Sequence, residues 1–318
     1  MKAVRFHEFG DPSVLCYEDV EDPVPGSHEV RIRVAATSFN GVDGGIRGGY
    51  LQGPFPVTLP HTPGIDVAGT VDALGPDVEG LAVGDKVIAF LPMTAPGAAA
   101  EFVIAPAEVI AAAPTSIPLQ DAAAMPMVGL TAWQALFDDA ALDGGQRVLI
   151  NGAGGGVGGY AVQLAKLTGA HVIATASPRS VERVRSAGPD EVVDHTHTRV
   201  GDAVTKPVDA LLNLARIAPE ELTALAARVR DGGAVVNTVP TIETPADAAR
   251  GVRAVGVFVR SDAQQLSRLV ALVDAGDLRV DVAERAPLAE LADVHTRAEA
   301  DEVSGKVVVV VDENNERR

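Results

Sequence analysis

Apolar residues recur along this chain in two different rhythms, and the rhythm changes near Leu119. Before that point, short alternating or continuous apolar runs predict strands at Lys2–Phe6, Glu29–Ala35, Asp66–Leu74, Lys86–Phe90 and Ala100–Ile104. Prolines and glycines cut these runs apart, with Pro23, Pro25, Gly26, Pro60, Pro63, Gly64 and Gly75 among them. Several short strands at irregular spacing predict a compact β domain. Beyond it, residues 121–125 and 127–138 read as helical, the second stretch carrying Thr131 and Trp133. Strands predicted at 147–151, 171–175, 190–193, 208–213, 234–238 and 255–259 then alternate with helices, which predicts a doubly wound parallel sheet. After Asp262, Leu266, Leu269, Val270 and Val273 repeat at helical spacing within a helix over Ala263–Ala275. A helix over Leu288–Ala300 and a strand over Gly305–Asp312 follow. That tail would disturb the order of a finished parallel sheet, so it is assigned back to the β domain. The expected division is 1–120 plus 262–318 for one domain and 121–261 for the other, with Asn314–Arg318 a frayed end.

The densest chemistry lies where Val148-Leu149-Ile150 runs into Gly152-Ala153-Gly154-Gly155-Gly156-Val157-Gly158 and then an apolar helix. Aligned on G-x-G-x-x-G, Ala153 replaces the first glycine, Gly155 lets a pyrophosphate approach the backbone, and Gly158 lets the helix pack against the strand. Free N–H groups and the helix dipole favour an anion at that helix start. The strand–turn–helix–strand context predicts a dinucleotide site. Roughly 20 residues on from such a motif, a carboxylate would bind the ribose 2′-hydroxyl of NAD. This chain has Thr175, Ala176, Ser177, Pro178 and Arg179 instead. A hydroxyl and a guanidinium suit a 2′-phosphate, so NADPH is expected over NADH. The competing reading of Arg179 is a solvated first-turn residue.

Charge and cysteine content narrow the picture. With 26 basic and 43 acidic residues the net charge is −17, which opposes nonspecific binding to nucleic acid or an anionic membrane. One cysteine, Cys16, allows no intrachain disulfide and suits a reduced, cytoplasmic setting. The start MKAVRFHEFG lacks the apolar core of a signal peptide, and no run approaches the roughly 20 apolar residues of a membrane helix. Neither a Gly-x-Ser-x-Gly elbow nor a glycine loop ending in Gly-Lys-Ser/Thr occurs.

Further segments join the glycine motif in a pattern: residues 35–43 (AATSFNGVD), 63–69 (PGIDVAG), 84–87 (GDKV), 129–133 (GLTAW), 161–166 (AVQLAK) and 304–308 (SGKVV). Together they resemble the medium-chain dehydrogenase/reductase superfamily and, within it, the zinc-independent, zeta-crystallin-like quinone oxidoreductases. The resemblance implies an α/β protein with a Rossmann doubly wound sheet inserted into a GroES-like, partly closed β-barrel catalytic domain. It implies a nicotinamide held in the cleft between the two, and a homodimer or homotetramer through an edge strand at 255–259. It places Asn40 and Thr131 at the nicotinamide, Asn40 offering its amide to cofactor or acceptor and Thr131 binding ribose or carboxamide. Phe258 and Val259 would back the ring from the edge strand, or serve as ordinary core. Tyr50 is the candidate aromatic wall and proton donor, with a surface loop aromatic as the alternative. Asp43 and Asp66 are read as loop-holding residues. His195 stands where many members have a tyrosine on the adenosine phosphate, and Asn213 replaces an aspartate common after the fourth strand. Zinc members use a Cys/His/Cys-type set, which Cys16 alone does not supply, and Ile65 stands where they carry histidine. No metal is expected, and His61 is read as a loop histidine.

A conjugated acceptor is already electrophilic and depends less on a Lewis acid than a plain ketone does. Three functions stay open on sequence grounds: an NADPH-dependent quinone reductase, an enone or enoyl reductase of a small metabolite or polyketide-type intermediate, and an NADPH-binding structural or regulatory protein with little turnover.

Overall fold

The computed structural model describes residues 1–311, so the end expected to fray at 314–318, and Asp312 of the last predicted strand, lie outside the described residues. The chain divides into two compact units, one built from Met1–Met127 with the segment from Ser261 onward, the other from Val128–Arg260. The short helix near residue 120 belongs to the first unit, so the first changeover follows it instead of preceding it.

In chain order the first unit holds β1 (Lys2–Phe6), β2 (Leu15–Asp19), β3 (Glu29–Ser38), α1 (Gly41–Arg47), β4 (Asp66–Leu74), β5 (Lys86–Phe90), β6 (Phe102–Pro106), β7 (Ile110–Ala112) and α2 (Leu119–Ala122). Helix α3 (Pro126–Trp133) follows, continued by a π-helical turn over Gln134–Asp139. The second unit then runs β8 (Arg147–Asn151), α4 (Gly156–Leu167), β9 (His171–Ala176), α5 (Val181–Ser186), β10 (Glu191–Asp194), α6 (Val200–Ala203), β11 (Val208–Asn213), α7 (Pro219–Ala226), β12 (Val229–Asn237) and β13 (Arg253–Gly256). The chain returns to the first unit as α8 (Ala263–Asp274), β14 (Glu284–Pro287), α9 (Leu291–Glu299) and β15 (Val307–Val310).

In the first unit β3 is the organising strand. It is long enough to change partners along its length: Glu29–Arg33 pair with β6 and Ala36–Ser38 with β15, while β4 runs along the other edge. The sheet order is β14-β15-β3-β4-β5-β7 with β6 on β3. This partner exchange curls the sheet into a partly closed barrel filled by Val30, Ile32, Val34, Val67, Val87 and Val103. The return of the tail has a simple cause. Val307–Val309 are fully apolar, and β3 offers them an open edge beside a second core of Phe6, Leu288, Leu291 and Val294.

The second unit is a six-stranded, wholly parallel sheet in the order β10-β9-β8-β11-β12-β13. Its central strands read as unbroken apolar runs because both faces are covered by helices. Sequence order reverses between β8 and β11, so the loops leaving these two strands diverge at the carboxyl edge, where such sheets bind ligands.

One expected element moved. The strand predicted at 255–259 is β13, Arg253–Gly256, and Phe258 and Val259 lie beyond it. Pairing ends at Asn237–Gly256 because β12 turns away after Asn237, leaving Val257 a last hydrogen bond to the Asn237 carbonyl. Phe258 is 68% exposed and Val259 is buried.

Candidate functional site

The second unit builds its site from the loop after β8. Gly152 has φ +89°, in the left-handed region that glycine enters without penalty. Its N–H donates to Thr175 Oγ1 on β9 at 2.8 Å. The loop then climbs to α4, whose first-turn N–H groups have no carbonyl a turn back to bond. Gly158 is required by contact: a Cβ there would lie 2.4 Å from the Ala153 carbonyl oxygen and 2.5 Å from Ala153 Cα. Gly154 is hemmed in on another side, since a Cβ would stand 2.5 Å from Ser180 Oγ. Gly155 faces open space, with nothing nearer to a Cβ than 3.7 Å. Gly158 is thus a close-packing position and Gly155 an open one, a loop with room for a pyrophosphate.

The end of β9 comes to the same loop. Ser180 Oγ accepts from the Ser177 N–H at 3.0 Å, closing a turn that sets Ser177 beside the glycines. Arg179 is exposed on that turn. Arg183, on α5, donates from Nη2 to the Gly154 carbonyl at 2.6 Å. Sequence reading missed both Ser180 and Arg183. The available signal was spacing, because Arg183 follows Arg179 by one helical turn. His195 leaves β10 with its N–H on the Ala176 carbonyl at 3.1 Å. It is exposed at the rim of a groove of about 670 Å³ lined also by Thr198, Arg199, Ala218 and Glu221. Thr131 is buried within α3.

Asn213, a sequence candidate for cofactor contact, has a wholly buried side chain that accepts from Asn151 Nδ2 at 2.8 Å and donates to Asn237 Oδ1 at 2.9 Å and to the Ala215 carbonyl at 3.0 Å.

In the first unit a buried polar cluster surrounds Asp66. The Lys306 ammonium lies 3.2 Å from Asp66 Oδ2 and donates to Asn40 Oδ1 at 2.5 Å. Asn40 Nδ2 donates back to Asp66 Oδ2 at 2.9 Å, and Ser38 Oγ donates to the same oxygen at 2.5 Å. The other carboxylate oxygen accepts the Met127 N–H at the start of α3. Asn40, read as an amide facing the cofactor, is therefore turned inward as a neutral bridge across a buried ion pair. Asp43 is loop-holding as expected, accepting the Asn40 and Gly64 N–H groups at 2.9 and 3.2 Å. Burial pushes its carboxyl up to about 7 against the pull of those two donors. Tyr50 stands 84% exposed beside Gly48, and its own unit builds no enclosing wall around it.

The fit to zinc is poor. Cys16 is an exposed residue of β2, and among the described residues no group of three or more His, Cys, Asp or Glu side chains is placed to hold a metal. His61 packs edge-on against Phe6 at 5.4 Å, and burial lowers its pKa to about 4.

Residues 26–115 match the alcohol dehydrogenase GroES-like domain, and residues 187–309 match the zinc-binding dehydrogenase model. A chloroplast envelope quinone oxidoreductase homolog from Arabidopsis thaliana is 34% identical over 97% of this chain and 98% of its own length. The quinone oxidoreductase structure from Coxiella burnetii superposes with a TM-score of 0.89 at 30% identity, covering 98% and 99% of the two chains. A mycobacterial protein complexed with NADPH superposes with a TM-score of 0.86 at 28% identity, covering 98% and 100%. A GroES-like domain joined to a Rossmann domain defines a nicotinamide-dependent dehydrogenase. This chain belongs to the medium-chain dehydrogenase/reductase superfamily, in its quinone oxidoreductase group, and is an oxidoreductase of that type.

Proposed function

We propose that this chain passes hydride from NADPH to a quinone or a related conjugated carbonyl without the help of zinc. The observation that carries the reading is the end of β9. Ser177, Arg179 and Ser180 share one turn beside the glycine loop, and residues 175–181 include no carboxylate. The NADPH complex of the mycobacterial neighbour and the name of the Arabidopsis relative support it.

When bound, the reduced nicotinamide supplies a hydride to an electron-poor carbon of the acceptor. The chain supplies position. N–H groups of Gly156, Val157 and Gly158 hold the pyrophosphate, Ser177 and Arg179 hold the 2′-phosphate, and His195 closes the adenosine end. Thr131 holds the ribose or carboxamide. Phe258, exposed beyond β13, offers an apolar face, and Asn213 acts as a buried support at the end of β11. With no zinc donor set among the described residues, charge developing on the acceptor oxygen is left to hydrogen-bond donors and solvent, which conjugation makes adequate. The outer edge of β13 is the surface assigned to a homodimer or homotetramer.

Steady-state kinetics with NADPH and NADH against a panel of quinones and enones test the proposal. A markedly lower KM for NADPH with quinone turnover is expected. A clear NADH preference overturns the cofactor assignment, turnover of enones alone transfers the protein to the enone reductases, and tight binding without turnover marks it as a binding protein.

A further inference from the structure

Four strands of the parallel sheet end in side chains that bond to one another sideways. Gly152 N–H donates to Thr175 Oγ1 at 2.8 Å, and Thr175 Oγ1 donates to Asn151 Oδ1 at 3.1 Å. Asn151 Nδ2 donates to Asn213 Oδ1 at 2.8 Å, and Asn213 Nδ2 to Asn237 Oδ1 at 2.9 Å. Asn237 Nδ2 ends the chain on the carbonyls of Ile242 and Val239 at 2.9 and 3.0 Å. Strand register explains the alignment, since Asn213 pairs directly with Asn151 on one side and Asn237 on the other. Thr175 and the three asparagines are all buried. From Thr175 through the three asparagines each side chain donates to the next, across β9, β8, β11 and β12, so each bond polarises the next; Asn237 Oδ1 also accepts the Val239 N–H at 3.2 Å. The second N–H of Asn213 is also used, by the Ala215 carbonyl at 3.0 Å.

We infer that Asn213 is a positioning residue for the dinucleotide: through Asn151 and Thr175 it fixes the Gly152 amide, and so sets the shape of the pyrophosphate loop from two strands away. The inference rests on the proposed dinucleotide site but concerns side chains buried within the sheet. Its chemistry depends on an amide. An aspartate at 213 would still accept from Asn151, but it would turn acceptor oxygens toward two further acceptors, Asn237 Oδ1 and the Ala215 carbonyl. The chain of donors would break in the middle. Protonating that carboxyl would restore one donor.

The test compares the wild type with Asn213→Asp, Thr175→Val and the double variant. Calorimetric Kd values for NADPH and NADH are measured well below each unfolding midpoint, with amide hydrogen exchange at Gly152. Each single change should weaken binding about five- to tenfold, the worth of one buried hydrogen bond, and speed exchange at Gly152. The double variant should be no worse than the weaker single one, because both act through the same amide. Affinity of Asn213→Asp should recover as the pH falls, while that of Asn213→Leu should not. Additive losses, an unchanged Kd in a variant whose Gly152 exchange has quickened, or loss of affinity without any change at Gly152 would each overturn the inference. If the wild type binds neither coenzyme, the dinucleotide reading fails instead, and exchange at Gly152 still reports whether the side chains are coupled.

Discussion

A single methyl group is enough to probe the pyrophosphate loop. Gly158→Ala would drive a Cβ into Ala153 backbone that has no flexible end to yield. Calorimetry should show coenzyme binding weakened by on the order of tenfold or more, since 1.4 kcal/mol already gives that factor. An unchanged Kd would mean that the helix start bears no ligand. Titration tells a second story at this scale. Burial, helped by the Arg47 charge, lowers the His295 pKa to about 3, and burial alone lowers that of His61 to about 4. Both side chains stay neutral in the folded state where the unfolded chain, with the ordinary value of 6.5, takes up protons. Their contribution to stability is complete above 6.5 and is lost as the pH falls toward the folded values. Asp43 has the opposite sign: raised from 3.8 to about 7, it favours the fold below 3.8 and loses that advantage as the pH rises through 7. His295 Nδ1 lacks a hydrogen-bond partner, so His295→Leu removes no bond there. Urea unfolding over a pH series should show a shallower acid-side decline in that variant. An unaltered decline would acquit His295.

Between elements, Lys306 reaches far along the chain. It joins the start of β15 to the ends of β3 and β4 through Asn40 and Asp66, 266 and 240 positions away. Breaking a buried ion pair by removing one partner typically costs about 3–5 kcal/mol. Lys306→Met should cost that much by urea denaturation, because it leaves the buried Asp66 carboxylate with neutral donors but no counter-charge; a loss under about 1 kcal/mol would mark the pair as solvated. The pair shows what the sequence could and could not reveal. The glycine loop was legible because strand, turn and helix are contiguous and glycine has few other reasons to cluster. Lys306 and Asp66 each sat in a recognised segment, yet nothing local links them. Strand β2, with one buried residue in five, offers too little apolar alternation to be read. Strand β13 was placed too late because apolar residues continue past the point where its partner departs.

For the molecule as a whole, the two-unit architecture was readable because the apolar rhythm changes twice. The inward turn of Asn40 and Asn213 was not, since an amide's partners depend on where distant strands end. The net charge of −17 predicts no retention of duplex DNA at physiological salt, which a gel-shift titration checks. Assembly through the outer edge of β13 predicts a dimer or tetramer by sedimentation velocity. A monomer at every concentration would end that assignment.

Arginine 183 carries a practical lesson for anyone wishing to exchange one coenzyme for the other. Its guanidinium braces the carbonyl of Gly154, so under the proposed assignment it would serve the part of the loop that both nicotinamide dinucleotides share. Removing it along with Arg179 would surrender affinity for each. Arg179→Ala should raise the KM for NADPH while sparing that for NADH, whereas Arg183→Ala should raise both; redesign should begin at the former and leave the latter in place.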